Sequence, residues 1–210
     1  MSAPAPKRVI AYVDGFNLYF GLREARLKRL YWLDVAALAG SLLKPDQQLV
    51  ATHYFTARIR DNGHNGQDRK RQADYLEALE LTGTAIQYGH YLEKPRRCRA
   101  CGATWKDFEE KMTDVNIATQ MLGDAFDDLF DMALVISADS DLKTPIERVR
   151  SRFPTKRVIV AFPPRRQSHE LKRCANGHLA IGEDKLRQSQ LPATLTKPDG
   201  YVLSRPATWT

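Results

Sequence analysis

Long apolar runs are absent from this chain of 210 residues. No stretch approaches the roughly 20 apolar residues that a bilayer-spanning helix needs. Cysteine is scarce. Three residues, an odd number, do not make a disulfide framework. The opening MSAPAPKRVI lacks the apolar centre of a signal peptide, because Lys7 and Arg8 precede the first apolar run. These absences give the expectation of a cytoplasmic protein with no membrane partner. Internal repeats and low-complexity segments are also missing. Hydrophobic residues make up 43%, ordinary for a globular chain. The length allows one α/β domain with a sizeable core.

What is abundant is positive charge, a net +7 at pH 7. Either this basic surface only aids solubility, or it serves a polyanionic partner. Composition does not separate the two.

Apolar patterning alternates between strand and helix. Residues 9–13, 49–57, 84–91, 132–137, 156–162 and 178–181 read as strands, being short, continuous and rich in β-branched residues. Helices are expected over residues 17–27, 35–43, 67–81, 109–126, 145–152 and 167–174. Asp34 is placed to cap the second of these, Gly83 to stop the third, and Pro145 suits a first turn. Residues 61–66 form a turn-rich loop. The resulting fold class is α/β: a mostly parallel central sheet with helices on both faces, a Rossmann-like three-layer arrangement. Residues 1–182 form the domain, with a basic, cysteine-containing insertion at about 94–106. Residues 183–210 read as a C-terminal tail, poorly ordered or wrapped over the surface.

Four aspartates are placed where chemistry is expected. Asp14 ends the first strand, and Asp139 and Asp141 follow the fourth. Strands that release side chains at their carboxyl ends form the ligand crevice of an open α/β sheet. Asp139 and Asp141, two apart in an extended segment, face the same way. Alternatively Asp141 caps the following turn. Asp14 and Asn17 either face the crevice or cap the first helix. Asp114 shares a helix face with Ile117, Ala118, Met121 and Leu122, so its carboxylate needs a partner. That partner is either Lys111 or a cation shared with the other aspartates. The run Asp124, Asp127, Asp128 and Asp131 reads as a solvated face and loop. Tyr12, Phe16, Tyr19 and Phe20 read as core or pocket wall. No serine, cysteine or histidine is placed as a covalent nucleophile, and His53, His64 and His169 form no readable arrangement.

Three segments in order resemble the NYN family, a branch of the PIN-like, FLAP-nuclease-like fold that includes the LabA group. They are Tyr12-Val13-Asp14-Gly15-Phe16-Asn17-Leu18, Glu110-Lys111-Met112-Thr113-Asp114-Val115, and Val135-Ile136-Ser137-Ala138-Asp139-Ser140-Asp141-Leu142. Ser168 with Leu171 adds a weaker match. The resemblance covers about residues 7–182. It implies a PIN-like fold and a ribonuclease-like site. In that site Asp14, Asp114, Asp139 and Asp141 would bind Mg²⁺ or Mn²⁺, supported by Asn17 and Ser137. Ala138 departs from the glycine frequent in relatives; it adds a methyl without removing a ligand. Hard oxygen donors suit these cations independently of the resemblance.

Two further clusters lie outside those motifs. Lys94, Arg96, Arg97 and Arg99 with Trp105 combine charge and an aromatic ring, which suits single-stranded nucleic acid. Arg165-Arg166 follows the fifth strand and is expected at the same rim. Arg69-Lys70-Arg71 reads as decoration of an exposed helix face. Each cluster is equally readable as solvated surface. Cys98 and Cys101 make half a zinc knuckle; His90, Cys174 and His178 fit no complete spacing, and a zinc shared between two chains would be another solution.

The expected function is a Mg²⁺- or Mn²⁺-dependent ribonuclease that hydrolyses RNA with a metal-activated water. A PIN-like module binding RNA or protein without cleavage is the alternative, although a pure binder does not need all four aspartates. A phosphatase working through an aspartyl-phosphate would want Asp-x-Asp after the first strand. Here Gly15 and Phe16 follow Asp14.

Overall fold

The computed structural model describes residues 5–209, with backbone alone for 106–110. Six strands form one parallel sheet: β1 (Lys7–Asp14), β2 (Gln47–Thr56), β3 (Ala85–Tyr88), β6 (Met132–Ile136), β7 (Arg157–Phe162) and β8 (Gly177–Ala180). Their order is β3-β2-β1-β6-β7-β8.

The period-2 alternation of the strands sends side chains to both faces. On one face Val9, Ala11, Val13, Leu134 and Ile136 pack under α1 (Gly15–Glu24), α2 (Val35–Ser41) and α3 (Gly66–Leu81). On the other, Ile10, Tyr12, Ala133 and Val135 pack under α4 (Thr113–Phe126), α5 (Lys143–Arg152) and α6 (His169–Cys174). The change of face follows from the strand order. The chain builds outward from β1 through β2 to β3, then returns to place β6 on β1's other side. Right-handed crossovers running in opposite directions deposit their helices on opposite faces. The reversal between β1 and β6 opens a crevice at their carboxyl ends.

The expected single strand over 84–91 and helix from 109 are corrected. Gly89 donates its N–H to the Thr56 carbonyl at 2.8 Å and closes the sheet edge. The chain then leaves as an antiparallel hairpin, β4 (His90–Arg97) with β5 (Thr104–Lys111). Residues 109–111 therefore pair as strand, the ladder overriding the helical spacing, and Met112 in left-handed conformation (φ 79) turns the chain into α4. The insertion is the whole hairpin, with Cys98, Arg99, Cys101 and Gly102 at its tip.

Residues 183–209 carry regular elements. They form α7 (Glu183–Gln188) and a hairpin of β9 (Thr194–Thr196) with β10 (Val202–Ser204). Leu186, Leu191 and Leu203 are buried in the core on the α1–α3 face. The Trp32 indole N–H donates to the Pro192 carbonyl at 2.7 Å, and Lys197 pairs with Glu77 at 2.9 Å. The segment's three buried leucines fix its path against the core.

Candidate active site at the carboxyl edge of the sheet

Gly15 lets β1 turn directly into α1, because a Cβ there would stand 2.6 Å from the Tyr54 ring and 2.8 Å from the Phe55 carbonyl. Asp14, only 4% exposed, sits at this turn. One carboxylate oxygen accepts the Asn17 N–H at 2.9 Å, capping α1. The other accepts the Ser137 hydroxyl at 2.8 Å. Ser137 Oγ in turn accepts the Asp139 N–H at 3.0 Å. Asn17 Oδ1 accepts the Ala138 N–H at 3.0 Å. Asp14 is therefore the cap of α1, with the Asn17 N–H as its donor, and the Asn17 side chain makes a bond that crosses to the loop after β6. This run of bonds ties the end of β1 to the loop after β6.

Asp139, rather than Asp141, caps the turn that follows: its Oδ1 accepts the Asp141 N–H at 3.0 Å. An extended residue before a helical turn can direct its carboxylate at the turn's free N–H groups, whereas Asp141 lies inside the turn. Asp141 is exposed and Asp139 half-buried.

Asp114 lies in the first turn of α4, half-buried, one turn before the buried Ile117 and Met121. The helix runs from the carboxyl edge toward the amino edge. Gln120 accepts from Gln87 of β3 at 2.6 Å, Asp124 reaches Tyr12 in mid-β1, and Asp131 N–H bonds the Arg8 carbonyl. The amino end of α4, with Asp114, is therefore at the carboxyl edge, and α4 packs beside the turn that carries Asp141. Among the described residues, no three His, Cys, Asp or Glu side chains already stand close enough to hold a metal ion.

The hairpin places Arg96 directly opposite Trp105, whose ring is 52% exposed. Lys94, two residues before Arg96, shares its face; Arg97 points to the other. Arg166, after the carboxyl end of β7, pairs with Glu24 of α1 at 2.6 Å and lies over the Phe20 ring, while Arg165 adopts a left-handed φ of 60. The zinc reading does not gain ligands. Cys174 is buried under α6, and His178 lies in β8 beside Phe162, whereas Cys101 is exposed at the hairpin tip. The Cys98 thiol is pushed below its ordinary range, first by the backbone N–H of Cys101 and then by that of Ala100.

Asp124 was misread from sequence, and His53 had no readable role. Asp124 belongs to no solvated face: it is 4% exposed and accepts from Tyr12 Oη and Gln120 Nε2, each at 2.7 Å. His53 Nε2 lies 3.7 Å from Asp124, with its ring stacked on Tyr12. Burial pushes His53 below its ordinary pKa, partly offset by Asp124. Burial and the neighbouring carboxylate drive Tyr12 far up, keeping the phenol a proton donor. The helical spacing Gln120–Asp124 signalled the inward face, but the surrounding acidic residues masked it.

The fold is a three-layer α/β domain with a six-stranded parallel sheet. Residues 8–182 match the NYN domain, and the chain belongs to that family, whose members are generally nucleases or RNA-related. It is 28% identical to the Pseudomonas putida 6-hydroxy-3-succinoylpyridine 3-monooxygenase HspA, over 97% of this chain and 76% of that protein. A crystal structure of a Vibrio parahaemolyticus protein of unknown function superposes with a TM-score of 0.60 at 23% identity. The match covers 88% of this chain and 98% of that one, a likeness of fold. No described helix is long and apolar enough to cross a membrane.

Proposed function

We propose that the protein is a Mg²⁺- or Mn²⁺-dependent ribonuclease. The observation that carries this reading is the hydrogen-bonded run Asn17–Asp14–Ser137–Asp139, which fixes a buried carboxylate at the switch point between β1 and β6. The donor chemistry fits a hard cation: carboxylate oxygens of Asp14, Asp114, Asp139 and Asp141 at one sheet edge. When bound, the metal supplies an activated water and stabilises charge on the phosphoryl oxygens. Ser137 and Asn17 orient Asp14 and the loop that carries Asp139. Lys94, Arg96 and Trp105 on one hairpin face engage the RNA backbone and a base.

The test is incubation of the whole chain with labelled single-stranded and hairpin RNA. Products appear with Mg²⁺ or Mn²⁺ and vanish in excess chelator. Cleavage that persists in chelator overturns the metal reading. Binding without product under either metal makes this a non-catalytic RNA-binding module.

A second reading rests on the match to the monooxygenase, which runs through 97% of this chain. It is oxygenation of a small hydroxypyridine. Supplying 6-hydroxy-3-succinoylpyridine with dioxygen and an electron donor separates the two: consumption of that compound without RNA cleavage selects the second.

A further inference from the structure

A cavity of about 660 Å³ lies on the α1–α3 side of the sheet, between α1, α3 and the C-terminal segment. Its size falls within the range that accommodates one small ligand, roughly 300–1,000 Å³. Aromatic rings form a continuous wall. Tyr19 meets Tyr31 at 5.2 Å between centroids, Tyr31 meets Trp209 at 5.7 Å, and Trp209 meets Tyr75 at 5.9 Å. Tyr19 remains 42% exposed, and its ring also meets Phe20 edge-on at 5.4 Å. Trp209 comes from the far end of the chain, held in place by the buried leucines of the wrapped segment.

Charge at the cavity is unbalanced. Arg23, Arg26, Lys28 and Arg71 line it against the single carboxylate of Asp68. Arg71 is paired with Asp68. Arg23, Arg26 and Lys28 make no ion pair among the described residues. Three uncommitted cations beside an aromatic wall select a particular chemistry. The rings take a planar π system by offset stacking, and the cations take an anionic group attached to it.

We propose that this cavity binds a small planar aromatic molecule carrying an anionic group. A base with its phosphate and a simple aromatic acid share that chemistry. The site is separate from the carboxylates, though adjacent. Gly15 lines the cavity beside Asp14, and Tyr54 lines it with its hydroxyl packed over Gly15. The proposal stands whether or not RNA is cleaved.

The test is titration of the whole chain followed by tryptophan fluorescence and calorimetry. Four probes are used: adenosine 5′-monophosphate, benzoate, inorganic phosphate without a ring, and benzamide without a charge. At least one of the first two saturates with a Kd of about 1 mM or tighter, and both controls bind at least about tenfold more weakly. Saturation by the nucleotide alone identifies a base-and-phosphate subsite; saturation by benzoate also identifies a site for aromatic acids. The exposed variants Arg23→Gln with Arg26→Gln, and separately Tyr19→Ala, each weaken binding about tenfold with an unchanged melting temperature. No saturation by either ligand overturns the proposal, as do controls that bind equally well or variants that bind like wild type.

Discussion

Asp14 and Asp124 are equally buried, each 4% exposed; Asp14 ends β1, and Asp124 lies on α4, the helix packed against that strand. Their surroundings differ in kind. Asp124 is closed in by side chains: the Tyr12 hydroxyl, the Gln120 amide and the nearby His53 ring, all within the core on the α4–α6 face. Asp14 is closed in by a backbone N–H and one hydroxyl at the rim, and its bonding leads directly to half-buried Asp139 and exposed Asp141. Burial by itself therefore does not distinguish a carboxylate enclosed in the core from one at the rim of the sheet. The distinction lies in whether the bonded network ends inside the core or opens onto a crevice.

The sharpest way to break this comparison is Asp139→Asn. Asparagine still caps the turn. Cleavage is expected to fall by about 100-fold or more, the several kcal/mol that a metal ligand contributes, with the melting temperature changed by no more than about 3 °C. Initial rates on a fluorescent RNA measure it; full activity in this variant removes the crevice from the chemistry.

Asp124→Ala is expected to do the opposite. It strands the Tyr12 hydroxyl and the Gln120 amide in the core, costing about 2–3 kcal/mol and lowering the melting temperature by about 5–10 °C. Below that transition the cleavage rate stays within about twofold of wild type, since the group lies outside the crevice. Thermal denaturation and rates on the same preparation decide; a large rate loss with intact stability would make Asp124 part of the site.

A smaller effect is expected from Arg96→Ala, Arg97→Ala and Arg99→Ala combined. RNA affinity should drop about three- to tenfold at low salt and converge on wild type at high salt, because phosphate contacts release counterions. Fluorescence anisotropy over a salt series measures this.

The smallest effect concerns pH. His53 has its folded pKa pushed below the ordinary 6.5 by burial. The unfolded chain then takes up the proton first, so stability is full above pH 6.5 and declines as pH falls until the folded imidazole also protonates. His53→Gln should flatten that acid slope in denaturant titrations. An unchanged slope assigns the acid sensitivity to other groups.

The sequence carried its own periodicities well. The strand run Val9–Val13 and the stripe Ile117, Ala118, Met121 and Leu122 announced a parallel sheet and an inward helix face, because burial of one face dictates apolar spacing along the chain. The three aspartate segments were legible for the same local reason: each sits where a strand or helix begins or ends. Long-range pairing was not legible. The helical spacing from 109 gave way to a hairpin once Glu110 found Tyr91 and Lys111 found His90 across the ladder. Arg71 read as surface decoration, yet it lines the aromatic cavity.

By itself the sequence determined the layers, the alternation of the main strands and helices and the placing of carboxylates at strand ends, since these depend on patterns within a few residues. The tertiary structure decided which polar groups meet: Ser137 with Asp14 across 123 positions, Tyr12 with Asp124 across 112, and Trp209 with Tyr31 and Tyr75. A side chain's role depends on the partners that satisfy it, and those partners are chosen by packing between elements far apart in the chain.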